Sequence, residues 1–219
     1  MAKFGLITEG ITDQIVIENI LCGFYKDEDL DEEIIPLEPP RDETDNKQAH
    51  SDFGLGWTAI FSYLSEKIFR DDVLNSEYVI IQIDTDIAED FDCSINQNQT
   101  IEDIIECSIK KLIEKIDEKK EFYEKHKNKI IFAISVHSLE CWILPLFKDI
   151  KKEEILNCVK TLNYTMRKLP NKSRLDTRKN YNNYDKLSHK FLKYKELIKV
   201  TSKNKSFEIF INNLPKLNT

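Results

Sequence analysis

The sequence lacks the segments that would place it in or across a membrane. None of its apolar runs approaches the roughly 20 residues that a membrane-spanning helix needs. The N-terminus also shows no basic flank followed by an apolar run and a small-residue cleavage site. With 219 residues, 41% of them hydrophobic, the chain is long enough to bury a core. We therefore expect a cytoplasmic globular protein of one domain, with or without a small appended piece.

The sequence also lacks any cysteine pair with the CxxC spacing that is typical of zinc sites. Its cysteines are odd in number and scattered: Cys22, Cys93, Cys107, Cys141 and Cys158. This spacing argues against a zinc cluster. It predicts reduced, mostly buried thiols rather than disulfides.

The net charge of −7 conceals two regions of opposite sign. From Lys148 to Thr219, 18 lysines and arginines stand against 7 acids, a net charge of +11, whereas the first 147 residues carry 14 against 32, a net charge of −18. The acidic N-terminal region could hold a cation, and the basic C-terminal third could bind a polyanion. This combination fits a metal-dependent enzyme that acts on a polyanion. A solvated lysine-rich helical surface would give the same pattern.

Short apolar strands alternate with segments of helical periodicity along the chain. The predicted strands are 3–8, 78–84 and 129–136, with a fourth short strand at 34–37 inside an otherwise irregular connection from 26 to 55. The predicted helices are one that begins near Thr12, 56–69, 101 to about 127, 151–162, 184–200 and 206–214. This alternation predicts an α/β fold with a mainly parallel sheet.

Carboxylates follow three of the predicted strands. The stretch from Tyr78 to Phe91 reads YVIIQIDTDIAEDF, so Asp84 and Asp86 end a buried strand and point the same way. Two like charges so close need a cation or a shared proton between them. Glu9 follows the first strand and Glu140 the last, and ligands of parallel α/β sheets bind beyond the carboxyl ends of the strands. Oxygen ligands without a His or Cys cluster favour Mg²⁺ or Mn²⁺ over Zn²⁺.

The order of these motifs resembles the TOPRIM domain of topoisomerases, primases and small ribonucleases. The likeness lies in a strand followed by Glu9 and Gly10, in Asp13 at the start of a helix, and in the later Asp84-Thr85-Asp86. Ser138-Leu139-Glu140 resembles the S-x-E element of TOPRIM nucleases of the overcoming-lysogenization-defect type, many of which are linked to phage defence. The resemblance spans about residues 3 to 147.

The resemblance implies a fold, an activity and roles for the acids. The fold would be a TOPRIM-like, Rossmann-like sheet of four mainly parallel strands flanked by helices (residues 1–147), with a basic helical extension (148–219) packed on it. The activity would be that of a Mg²⁺-dependent or Mn²⁺-dependent endonuclease that cleaves phosphodiester bonds of DNA or RNA, with a regulatory partner protein. Glu9 would bind metal or exchange protons, Asp84 and Asp86 would bind Mg²⁺, and Glu140 with Asp13 would complete a second metal site. By analogy, Lys203 or Lys205 would stabilise the developing charge.

Departures from the pattern leave two alternatives. Many TOPRIM domains follow the DxD with a further aspartate and a glycine, whereas this chain continues from Ile87 to Asp92, where Glu89 is a further candidate ligand. The first alternative is a catalytically silent TOPRIM-like module that binds nucleic acid or a partner. The second is a DxD phosphatase of the haloacid-dehalogenase kind, which usually has Thr or Val where Ala88 stands and leaves Glu9 unexplained.

The basic C-terminal third mixes cations with aromatic residues. Arg174, Arg178 and Lys179 lie close in sequence to Tyr181 and Tyr184. This composition suits a surface that follows a nucleic-acid backbone and stacks bases, although it could equally dock a protein.

Overall fold

A four-stranded parallel sheet forms the centre of the protein. The computed structural model describes residues 2–41, 56–86, 93, 99–150, 157–170 and 178–217. Within them the strands are β1 (Ala2–Ile7), β2 (Ile34–Glu38), β3 (Ser76–Asp84) and β4 (Ile130–Ser135). Their order is β2-β1-β3-β4 and every neighbouring pair is parallel. The predicted α/β fold with a mainly parallel sheet is confirmed.

Ten α-helices surround the sheet in the described part of the chain. They are α1 (Ile11–Tyr25), α2 (Gly56–Ser65), α3 (Lys67–Asn75), α4 (Ile101–Ile116), α5 (Glu121–His126), α6 (Glu140–Ile143), α7 (Cys158–Lys168), α8 (Tyr181–Ser188), α9 (Tyr194–Thr201) and α10 (Lys205–Asn212).

Several predicted helix boundaries are wrong. The helix predicted over 56–69 is divided at Glu66, whose backbone is extended, into α2 and α3. The helix predicted to run to about residue 127 ends at Ile116, because Asp117 is extended and Lys120 takes the left-handed conformation with φ 58° before α5. Its start is as predicted, since the Thr100 side chain caps the Asp103 N–H in a reciprocal capping box.

The helices form two layers with separate hydrophobic cores. Strand side chains alternate between the two faces, so Leu6 and Ile80 pack in one core and Ile81 and Ile83 in the other. The first core contains α1, α6 and α7 to α10, whereas the second contains α2, α3 and α4. Helices α1 and α4 lie on opposite faces of the sheet. Because connections between parallel strands are right-handed, the chain moves from β1 to β2 on one side of the sheet and from β3 to β4 on the other. The carboxyl ends of β1 and β3 therefore flank the crevice where such folds bind ligands.

The described C-terminal helices complete the first core. Trp142 of α6 stacks on Phe210 at 5.4 Å between ring centroids, and Phe207 stacks on Phe191 at the same separation. Helices α8 and α9 contact α1, and α10 contacts β4. Residues on both sides of the predicted boundary at 147 thus share one core, and the division into a catalytic domain and a basic extension stays a prediction.

Two disulfides correct the prediction of reduced thiols. Cys93 pairs with Cys107 and Cys141 with Cys158, while Cys22 is a free, buried thiol. Sequence separations of 14 and 17 residues gave no sign of pairing, but the fold brings the Cα atoms to 5.9 and 5.1 Å, within the range that a disulfide spans. Among the described helices, none has the length and apolar character needed to cross a bilayer.

Some predicted features lie outside the described residues. They are the irregular connection over 42–55, the loop from Ile87 to Asp92 with Ala88 and Glu89, Arg174, and the first residues of the helix predicted over 151–162.

Candidate active site

The ends of β1 and β3 meet through their acids. The Glu9 carboxylate oxygen Oε1 accepts a hydrogen bond of 2.6 Å from the Asp84 backbone N–H. The indole N–H of Trp57 donates to the Asp84 carbonyl at 2.7 Å, so the buried start of α2 holds the same turn. The sequence predicted this meeting, because both acids follow parallel strands that turn out to be neighbours.

Asp84 is fixed by three donors to a single oxygen. Its Oδ1 accepts from the Ser135 hydroxyl at 2.7 Å, the Gln82 side-chain amide at 2.9 Å and the Leu139 N–H at 3.0 Å. The side chain is buried, with 7% exposed. Burial, and then the charges of nearby acids, raise the pKa of Asp84 well above its ordinary value of 3.8. The acids that act on it are Asp13, Glu9 and Glu140.

Asp13 lies in the first turn of α1 and is buried. Burial, followed by the charges of Glu9 and Glu140, raises its pKa from 3.8 to about 7, against the opposing effects of Lys179 and the Gly10 N–H. The helix begins at Ile11 with Gly10 in the N-cap position, and not with Thr12 as the cap. Gly10 has φ −166°, an extended conformation that any residue adopts, so its backbone does not require a glycine.

Glu9 has a similar balance of charges around it. Burial, and then the charge of Asp86, raises its pKa from 4.5 to about 7. The Asp84 N–H, Lys179 and Trp57 oppose this shift. Asp86 itself is exposed at the end of the DTD sequence, so the two aspartates differ: Asp84 points into the buried cluster and Asp86 lies at its rim.

Glu140 brings a buried oxygen that has no hydrogen-bond donor in the described part of the chain. The residue begins α6 and is 2% exposed. Its Oε1 accepts from the Tyr184 hydroxyl and lies 3.8 Å from the Lys179 ammonium, whereas Oε2 has no hydrogen-bond partner among the described residues. A buried carboxylate oxygen without a partner is costly, and a cation would satisfy it.

Among the described residues, Lys179 is the cation that acts on this cluster, whereas its sequence context predicted a surface that follows a nucleic-acid backbone or docks a protein. Burial alone would lower its pKa, but the charges of Glu140, Asp13, Asp84 and Glu9 outweigh burial and raise it. Its side chain is 62% exposed and thus stands at the mouth of the cluster. Lys203 and Lys205, the two residues predicted for this role, are paired elsewhere: Lys203 forms an ion pair with Asp149, and Lys205 forms one of 2.9 Å with Glu208.

The two tyrosines predicted to stack bases are engaged within the protein. Tyr184 is 2% exposed and donates its hydroxyl to Glu140, so the prediction that it stacks bases is wrong. Burial, and then the charge of Glu140, raises the pKa of Tyr184, which keeps the hydroxyl protonated as a donor. The Tyr181 ring lies 5.0 Å from the guanidinium of Arg41. Of the two, only Tyr184 contacts an acid of the cluster.

The donor chemistry of the cluster fits a hard divalent cation, although the carboxylates are not gathered around one point. Within the described segments, no three His, Cys, Asp or Glu side chains are placed to hold one metal ion. Glu9 and Asp84 are instead turned to N–H and hydroxyl donors of the protein. All the candidate ligands are oxygens, and the unpartnered Oε2 of Glu140 is one of them. The chemistry is that of Mg²⁺ or Mn²⁺ ligands.

The raised pKa values predict how stability depends on pH in the absence of metal. The pKa of Asp13 is higher in the folded protein than its ordinary value of 3.8, so proton binding by Asp13 stabilises the fold. This contribution is complete below about pH 4 and is lost as the pH rises to about 7. The difference between the free energies of unfolding of wild type and Asp13→Asn, measured by urea unfolding in EDTA, should fall over this range by about 3 to 4 kcal/mol. A difference that is flat, or that rises with pH, would contradict the burial of this carboxyl.

Comparison with known proteins supplies no relative for the site. No family model matches the chain, and no curated protein and no solved structure matches it either. The likeness to TOPRIM therefore rests on the order and spacing of Glu9, Asp13, the DTD sequence and Glu140, and the function must be inferred from their geometry.

Proposed function

We propose that the protein is a metal-dependent nuclease of TOPRIM type that hydrolyses phosphodiester bonds of DNA or RNA. The observation that carries the proposal is that Glu9, Asp13 and Glu140 lie close enough to Asp84 for their charges to raise its pKa, with Lys179 acting on all four acids. Glu9, Asp84 and Glu140 follow three different strands and Asp13 begins α1, an expensive arrangement of carboxylates that a purely structural role does not need. The net charge of +11 from Lys148 onwards suits a polyanionic substrate.

The residues of the cluster have separate roles in this proposal. Asp84 and Asp86 would hold Mg²⁺ together with Glu9, and Glu140 with Asp13 would hold a second ion. When bound, the metal would neutralise charge on the attacking and leaving oxygens and make water a better nucleophile. Glu9, with a pKa of about 7, can hold or release a proton near neutral pH. Lys179 stabilises negative charge that develops on the phosphate.

Replacing Lys179 tests which lysine stabilises the negative charge that develops at the site. Lys179→Gln should lower kcat by about 10- to 100-fold, because a charge that acts on all four acids is lost. Lys203→Gln should retain nearly the wild-type rate, because Lys203 is paired with Asp149. Both rates can be measured on one labelled oligonucleotide under saturating Mn²⁺. The opposite ranking would restore Lys203 as the residue that stabilises charge.

The activity itself is tested by incubating the protein with mixed DNA and RNA substrates. Cleavage is expected with Mg²⁺ or Mn²⁺ and should stop with EDTA. If no polymer is cleaved with any divalent metal, the nuclease proposal fails and the silent binding module is favoured. That alternative has one observation in its support, since the described carboxylates are not gathered around a single point.

The remaining parts of the proposal rest on the motif resemblance and on composition. A regulatory partner protein and a role in phage defence belong with the TOPRIM nucleases that the S-x-E element resembles, and a cytoplasmic location stays a prediction. The phosphatase alternative needs Asp84 as a nucleophile. The structure gives it no support, because Asp84 is buried and its Oδ1 already accepts three hydrogen bonds.

A further inference from the structure

A second concave region lies beside the acid cluster. It is a cavity of about 830 Å³ between the end of β4 and helix α7, within the roughly 300–1,000 Å³ that is typical of ligand sites. Its lining includes His137, Lys148, Lys160, Tyr164 and Arg167. We call this region the cationic cavity.

The charge of the cationic cavity is opposite to that of the whole protein. The chain has 39 acids against 32 lysines and arginines, but no Asp or Glu is among the described residues that line this cavity. Lysine and arginine side chains there face a common space together with a histidine. Such an arrangement attracts an anion and disfavours a cationic ligand.

Helix α7 presents its polar face to the cavity because its other face is fixed in the core. Lys160, Tyr164 and Arg167 are spaced four and three residues apart and therefore share one side of the helix. Cys158, Leu162 and Met166, on the other side, are buried. The first turn of α7 also lines the cavity, and no described side chain caps it, so its backbone N–H groups add to the positive potential.

Tyr164 gives the cavity an accessible aromatic surface. It is 60% exposed, the largest exposed fraction among the large hydrophobic side chains of the described residues. The Lys168 ammonium lies 4.2 Å from the ring centroid and positions the ring. An exposed aromatic ring among cations is the combination by which proteins stack bases while holding the backbone of single-stranded nucleic acid.

The cationic cavity begins at the same edge of the sheet as the acid cluster. The His137 N–H donates to the Thr85 hydroxyl at 2.7 Å, and Thr85 stands between Asp84 and Asp86. His137 adopts the left-handed region with φ 67°, uncommon for a residue other than glycine, and its buried Nδ1 has no hydrogen-bond partner among the described residues. This strained backbone lies where the cationic cavity meets the DTD sequence, and strain of this kind occurs mainly at functional sites.

We infer that the cationic cavity binds a backbone phosphate of single-stranded nucleic acid, with the adjoining base stacked on Tyr164, while a neighbouring phosphodiester of the same strand reaches the acid cluster. The inference rests on the proposed function and narrows its substrate class to single strands. Duplex would bind more weakly, because its paired and stacked bases are not free to stack on Tyr164.

Binding in EDTA separates this inference from cleavage. The probe is a fluorescein-labelled 15-nucleotide single strand of mixed sequence, followed by anisotropy over a range of NaCl concentrations. Tyr164→Ala should raise Kd at least about fivefold, and Tyr164→Phe should bind like wild type. Lys160→Gln should weaken binding and reduce the slope of log K against log salt by about 0.7. Tyr194→Ala and Lys195→Gln are the matched controls in the exposed face of α9 and should leave Kd unchanged.

The outcomes distinguish failure of the inference from failure of the proposed nuclease. EDTA removes the divalent metal that cleavage needs, so the binding titration does not depend on whether the protein is a nuclease. The inference is overturned if wild type does not bind the strand, if the cavity variants bind like the α9 controls, or if a duplex of the same sequence binds as tightly as the single strand. Loss of binding in the cavity variants without metal-dependent cleavage in wild type would instead uphold the cavity as a binding site and refute the nuclease.

Discussion

Asp84→Asn should lower kcat/KM for metal-dependent cleavage by about a thousandfold or more. Asparagine has the shape of aspartate and can still accept the hydrogen bonds from Ser135, Gln82 and the Leu139 N–H, but it cannot supply the negative charge that a divalent cation needs. Metal-bound catalysis depends on several kcal/mol of charge stabilisation, and about 1.4 kcal/mol corresponds to a tenfold change in rate. Kinetics on a labelled oligonucleotide and Mn²⁺ binding by calorimetry should both show the loss.

The fold should survive this change, which makes the result interpretable. Burial raises the pKa of Asp84, and three other acids raise it further, so a neutral side chain removes repulsion and the melting temperature should stay the same or rise. Glu106→Gln, in the exposed face of α4, is the control for the removal of a carboxylate and should keep full activity. If Asp84→Asn cleaves at the wild-type rate, the proposed site is wrong.

Gly23→Ala should destabilise the protein by about 3 kcal/mol or more. A Cβ on Gly23 would lie 1.8 Å from the carbonyl oxygen of Phe191 and 2.9 Å from the Cα of Leu192. The obstacle is backbone, so no side-chain rotation can relieve it, and α1 would have to move away from the 3-10 helix His189–Leu192. Overpacking of this kind costs about 1–3 kcal/mol and occasionally more. Urea unfolding followed by circular dichroism measures the effect.

Gly10→Ala provides the comparison at a glycine with space around it. Its Cβ would lie 3.5 Å from the nearest atom, the Asp13 carboxylate oxygen, and its extended backbone suits alanine. The cost should stay at or below about 1 kcal/mol, the part that remains being the poorer N-cap that alanine makes. Equal stability of the two variants would show that α1 and the segment at Phe191 are further apart in solution than they are here.

The central features of the fold could be predicted from the sequence because they depend on local patterns. Apolar runs of strand length alternate with helical periodicity, which was enough to indicate a parallel sheet. The meeting of Glu9 and Asp84 then followed from a general property of such sheets, whose carboxyl ends share one edge. A strand of this sheet needs no long-range information to be recognised.

The rest depends on contacts between distant parts of the chain, which no local pattern encodes. Lys179 and Tyr184 follow Glu140 by 39 and 44 residues and reach it only because α8 packs on α1. In a polar, basic stretch, the sequence pattern does not distinguish a lysine or a tyrosine that faces a ligand from one that contacts a carboxylate of the protein. The disulfides escaped prediction for the same reason, since a separation of 17 residues does not say that two helices will meet.

The bridge between Cys141 and Cys158 has a consequence for substrate length. Cys141 directly follows Glu140, and Cys158 is the first residue of α7, whose polar face lines the cationic cavity. The covalent bond therefore holds the acid cluster and the start of α7 at a set separation. In the proposed function, a strand engages both regions only if it extends far enough to bridge that separation. Cleavage efficiency should then increase in a step with oligonucleotide length and level off once the strand reaches from one region to the other.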